Sequence, residues 1–190
     1  MYSPTTDLPR RHSLTVEDYY RMAEVGILGE RERVELIEGA IVEMSPIGRR
    51  HTAFVDNLSR LLIRRLPDHV IVRVQGPVAL TDDTEPQPDL TVLRRRAVPY
   101  KDREAWAEDA LLVVEVAETS LAYDRSTKRR LYAEAGILEY WVVDCTAETV
   151  EMHRGPGPEG YGDVRLVTGQ ATLSPQAFPD VALRTADIFA

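Results

Sequence analysis

Residues 111–117, LLVVEVA, constrain this chain more than any other segment, because they set one carboxylate, Glu115, in an otherwise unbroken aliphatic run. Rich in β-branched residues, so short a run reads as a strand. Strand alternation predicts that Glu115 shares a face with Leu111 and Val113, where an unpaired carboxylate is costly to desolvate. Glu115 therefore needs a partner, unless it lies at an exposed strand end.

Residues 15–25 form a short amphipathic helix with Glu17 and Asp18 in its first turn and Gly26 as stop. VELIEG and AIVEM, joined around Gly39, read as a β-hairpin with an acidic polar face. Over residues 50–66, Phe54, Val55, Leu58, Leu61 and Leu62 recur at helical spacing before Pro67. Strands are expected at 70–80 with a break at Gly76 and Pro77, at 90–93, and at 111–116. A helix opened by Asp124 and closed by Gly136 leads into the strand YWVVD. The order is α-β-β-β-α-β. ETVEMHR and DVRLVTG then read as a second hairpin, followed by a short closing segment. Residues 1–13 read as a flexible polar arm and 14–190 as one domain, within the size that a single core supports.

Composition removes several classes of function. No run approaches the roughly 20 apolar residues that cross a bilayer, and the first residues lack a signal-peptide pattern. A lone cysteine, Cys145, forms neither an internal disulfide nor a thiolate metal site, and the cytoplasm is the simplest address. The net charge of −8 argues against coating nucleic acid by bulk attraction, so any such contact must be local. Arg49 and Arg50, Arg94 to Arg96, and Arg129 and Arg130 are the local basic clusters, each of which is equally readable as a solvated face. Phosphate-loop, dinucleotide-fold and nucleophile-elbow motifs are absent.

All but two of the 23 basic residues are arginine. One exception, Lys128, precedes Leu131 and Tyr132 by three and four residues, which puts it on the apolar stripe of its helix. It either snorkels to water or serves a cleft. His51 has the same relation to Phe54 and Val55, so a satisfied core histidine and a site residue both fit. His12, His69 and His153 have no zinc spacing. Asp89 stands immediately before the strand LTVL, an ordinary place for Asp, and carries little alone. Among Glu35, Glu38 and Glu43 of the first hairpin, an acidic solvent face is the ordinary account, and Glu38 beside the turn glycine is best placed to reach a cleft.

The ordered set VELIEGAIVEMSP, His51, PQPDLTVL, LLVVEVAETS and the Lys128 helix before YAEAGILEYWVVD resembles the bacterial Uma-two family, classed as endonucleases within the PD-(D/E)xK superfamily. The resemblance implies a restriction-endonuclease-like α/β fold, with a mixed sheet flanked by helices in the order α-β-β-β-α-β. It also implies metal-binding acids matching Asp89 and Glu115, Mg²⁺ or Mn²⁺ as cofactor, DNA as substrate and a homodimer as the assembly. The slot two residues after Glu115, where the superfamily lysine stands, holds Ala117, and Lys128 from the next helix is the expected replacement. His51 and Glu38 are the supporting candidates for the missing acid of the first core helix, and Arg49, Arg50, Arg129 and Arg130 for nucleic-acid contact. The alternative is a catalytically silent module of the same fold that binds nucleic acid or a protein.

Overall fold

The structure is a computed structural model describing residues 12–29 and 31–190. The expected arm lies outside the described residues up to Arg11. Ser13 already packs against the first hairpin, since a Cβ on Gly39 would meet its hydroxyl.

Helix α1 (Val16–Glu24) starts with a capping box in which Thr15 and Asp18 satisfy each other's backbone donors. Strands β1 (Val34–Ile37) and β2 (Ala40–Glu43) form a two-stranded ribbon. Glu38 and Gly39 both adopt positive φ at its turn, as a tight two-residue hairpin requires. Helix α2 (Arg49–Arg65) buries Phe54, Val55, Leu58 and Leu62 on one stripe against the sheet. Each such side chain contributes about 1.5–3 kcal/mol on burial.

The main sheet has six strands in simple order: β3 (Val70–Val74), β4 (Leu90–Arg94), β5 (Ala110–Ala117), β6 (Glu139–Asp144), β7 (Thr149–Gly157) and β8 (Gly160–Thr168). All neighbours are antiparallel except β5 and β6. A parallel pair needs a crossover. Here it runs through α3 (Leu121–Tyr123), a π turn at Asp124–Lys128 and α4 (Arg129–Glu134). Every residue of β5 and β6 is buried, as expected for central strands covered on both faces. One face packs on α2, the other on α4 through Leu131, Tyr132, Tyr140 and Tyr161. Short strands β9 (Thr172–Leu173) and β10 (Leu183–Arg184) and helix α5 (Thr185–Ile188) close the first face. Among the described residues, no helix is long and apolar enough to cross a membrane.

The order α2-β3-β4-β5-α4-β6 is the one expected, and the mixed sheet between helices is observed. Three details differ. Residues 78–80 leave the sheet after β3, and only an isolated bridge from Ala79 to Trp106 remains. The register slips between Val92 and Leu93, so Leu111 joins the α2 face while Val113 packs on the other. The crossover helix begins at Leu121, and Asp124 lies inside it, buried, rather than capping it. The second hairpin is present and extends the main sheet, with β7 pairing against β6.

Candidate functional site

Three chain segments converge where β5 ends. The strip before β4 delivers Asp89, β5 delivers Glu115, and the π turn delivers Lys128 and Asp124 into a cleft of ≈ 360 Å³. A π turn in an α-helical segment is often functional. It buries both Asp124 and Lys128, which are only 2% and 4% exposed.

Lys128 Nζ donates to Glu115 Oε1 at 2.9 Å and lies 3.1 Å from Glu35 Oε2. Its ammonium is therefore held inside the protein and does not snorkel. Glu115 Oε1 also accepts from the Tyr132 hydroxyl at 2.8 Å. Asp89 Oδ2 accepts from the Val116 amide at 2.9 Å, and Oδ1 lies 2.9 Å from His51 Nε2. Asp89 thus braces the end of β5 while holding the imidazole. Asp124 accepts from Ser120 Oγ at 2.6 Å.

Four buried carboxylates, Glu35, Asp89, Glu115 and Asp124, share this cleft with one ammonium. Burial raises the Glu115 carboxyl well above the usual range against the pull of Lys128, and Asp124, Asp89 and Glu35 push it further. Burial likewise pushes Asp124 up to about 6, partly offset by Lys128 and Ser120. Desolvation works against the Lys128 charge, but Glu115, Glu35 and Asp124 outweigh it and raise its pKa. Lys128 is accordingly a fixed cation, suited to stabilising negative charge rather than accepting a proton.

The first hairpin contributes a different glutamate from the one expected. Glu38 is more than half exposed and pairs with Arg130, whereas Glu35 is buried in the cleft. The reason is that β1 lies against residues 84–87: Leu36 bridges to Glu85, and the Gln87 amide donates to Glu35 at 3.2 Å. With both faces of β1 covered, no acidic solvent face exists at Glu35.

Arg49 and Arg50 are exposed at the start of α2 beside His51 and make no ion pair among the described residues. Gly48 caps that end, and a Cβ there would lie 1.8 Å from the Glu118 carboxylate at the cleft. Arg129 and Arg130 point away from the cleft and line another surface cavity, with Arg130 held by Glu38 and Glu134. Arg96 is committed to Asp109.

A six-stranded mixed sheet with a helix on each face and an acidic, lysine-bearing cleft at the end of its central strands has the architecture of the restriction-endonuclease-like fold. A solved structure described as a "putative nuclease belonging to DUF820" from Anabaena variabilis ATCC 29413 shares this fold, superposing with a TM-score of 0.72 at 18% sequence identity. The match covers 93% of this chain and 97% of that one. The chain belongs to the Uma2 family, described as "Putative restriction endonuclease", whose family model matches residues 16–186. No curated protein matches the chain.

Proposed function

We propose that the protein is a divalent-metal-dependent endonuclease that hydrolyses phosphodiester bonds in DNA. The observation that carries this reading is the position of Lys128 Nζ, 2.9 Å from Glu115, in the cleft that also holds Asp89. The empty lysine slot at Ala117 is thereby filled from the crossover helix.

The donor set suits a hard cation. Its ligands would all be oxygens, and its carboxylates outnumber its ammonium, so a divalent ion would relieve their repulsion. Among the described residues, no three His, Cys, Asp or Glu side chains converge at metal-ligand spacing. Asp89 and Glu115 would therefore hold Mg²⁺ or Mn²⁺ as a pair, with water and substrate phosphate completing the shell, the usual mode for Mg²⁺. When bound, such an ion supplies Lewis-acid polarisation of the phosphodiester and a bound water of lowered pKa.

The chain's own residues do the rest. His51 orients Asp89 through Nε2, and the Val116 amide fixes the other carboxylate oxygen. Lys128 stabilises the negative charge that develops on the phosphoryl oxygens. Glu35 holds Lys128 as a second carboxylate partner beside Glu115, so the ammonium is positioned before substrate arrives. Arg49 and Arg50 contact the nucleic-acid backbone next to His51, an attraction local enough to coexist with a net charge of −8.

Incubation of supercoiled plasmid with the purified protein tests the reading. Nicked and linear products are expected with Mg²⁺ or Mn²⁺, and none with EDTA or with Asp89→Ala. Retention of DNA without cleavage under all metal conditions would instead support a silent binding module.

A further inference from the structure

Two buried side-chain atoms of residues that line the cleft lack a hydrogen-bond partner among the described residues: His51 Nδ1 and the Tyr123 hydroxyl. They differ in what they can offer. His51 Nε2 lies 2.9 Å from Asp89 Oδ1, so Nε2 carries the proton of the neutral ring and Nδ1 is left as an acceptor. Tyr123 keeps its proton and is a donor, since burial, Glu35, Asp124 and Glu115 hold its pKa above the ordinary value against the pull of Lys128. Those four side chains also place the hydroxyl among the charges of the site.

The other tyrosines packed on the site are committed. Tyr132 donates to Glu115 Oε1 at 2.8 Å, and Tyr140 to the Asp124 carbonyl at 3.2 Å. Tyr123 belongs to the crossover segment, where its amide donates to the Ser120 carbonyl at 2.8 Å and Ser120 Oγ holds Asp124 at 2.6 Å. Its ring is thus set on an ordered turn, with Lys128 Nζ 6.0 Å from the centroid. A buried hydroxyl without a partner costs stability that a phenylalanine ring would not. An acceptor entering the cleft removes that cost. Beside an ammonium and a pair of acids suited to a divalent ion, the fitting acceptor is a phosphate oxygen.

We propose that the Tyr123 hydroxyl is a further catalytic group of this site, donating a hydrogen bond to a non-bridging oxygen of the phosphodiester alongside Lys128. A neutral donor adds no charge to repel a cation held by Asp89 and Glu115. Its hydrogen bond strengthens as negative charge builds on the phosphoryl oxygens. The catalytic part rests on the nuclease reading, whereas the contact with nucleic-acid phosphate does not.

Tyr123→Phe removes the hydroxyl and keeps the ring. Parent and variant are compared by cleavage of supercoiled plasmid in Mg²⁺, by affinity for a fluorescein-labelled DNA duplex in Ca²⁺, which also binds through oxygens, and by thermal unfolding without metal. The variant should cleave about 10²-fold more slowly, the lower end for loss of one preorganised donor. It should bind the duplex about tenfold more weakly and unfold at the same temperature or higher. Unaltered binding and cleavage would overturn the proposal, because the hydroxyl then has no ligand. A lowered unfolding temperature would overturn it too, by showing the hydroxyl already bonded within the fold. If the parent binds duplex without cleaving it, the nuclease reading fails, and a tenfold loss of binding in Tyr123→Phe still upholds the phosphate contact. A parent that neither binds nor cleaves overturns both.

Discussion

Glu139 and Glu115 are glutamates on adjacent central strands, buried to nearly the same degree, yet their surroundings differ in kind. Glu139, fully buried, accepts from Arg154 Nε at 2.8 Å and Trp141 Nε1 at 2.9 Å on one oxygen and from the Gln176 amide at 2.5 Å on the other. Its charge is matched by one arginine and its lone pairs are taken up. Asp109 is built the same way, with Arg96, Arg103 and the Trp106 amide. Glu115 shares its single cation with Glu35, and Asp89 and Asp124 stand nearby. Equal burial therefore separates two uses of a carboxylate: a matched one fixes the β6–β7 region, and an under-matched cluster leaves electrostatic room for an incoming positive charge.

The largest effect expected from breaking this contrast is catalytic. Lys128→Arg keeps the charge, but a planar guanidinium does not fit where one nitrogen sits 2.9 and 3.1 Å from two carboxylates. Single-turnover plasmid cleavage should fall about 10²–10³-fold, the range for removing one preorganised charge-stabilising donor. Circular dichroism should report an unchanged fold. Equal rates would remove Lys128 from the site.

Next comes stability on the matched side. Glu139→Gln leaves the partly buried Arg154 without its counter-charge and should cost about 3 kcal/mol in urea unfolding. Glu35→Gln, by contrast, leaves Lys128 paired with Glu115 and should cost much less stability than activity. Equal destabilisation by the two substitutions would erase the distinction.

A smaller effect of opposite sign is expected at Asp124. Its folded pKa of about 6 lies above the ordinary 3.8, so the native state binds more protons than the unfolded chain between those values. Stability of the metal-free protein should therefore fall as pH rises from about 4 to 6. The interval corresponds to about 3 kcal/mol at neutral pH. Asp124→Asn should recover part of this above pH 6 and flatten the profile, as read by thermal unfolding across pH. A steeper pH dependence in Asp124→Asn would contradict the assignment.

These contrasts also show which parts of the site were legible beforehand. The strand order was readable because aliphatic runs with β-branched residues alternate with 3.6-residue periodicity, a local signal that tertiary packing reinforced. Lys128 could be placed because its position on an apolar stripe is a matter of helix geometry alone. Glu35 was not, because its burial depends on β1 lying against residues 84–87, a contact with no local trace. Asp124 looked like a helix cap because Asp commonly is one. Its burial arises from a π turn that no periodicity in the sequence announces. The pairing of His51 with Asp89 likewise joins distant segments and follows from the docking of α2 on the sheet.

Calorimetric titration with Mn²⁺ tests most directly the claim that the under-matched carboxylates form a cation site. The account predicts one ion bound by the parent chain, with thermal stabilisation that grows with Mn²⁺ concentration. Binding should be lost in the Asp89→Ala, Glu115→Ala double variant and retained in Glu139→Gln at temperatures where that variant is folded. Mn²⁺ bound as tightly by the double variant as by the parent would contradict it.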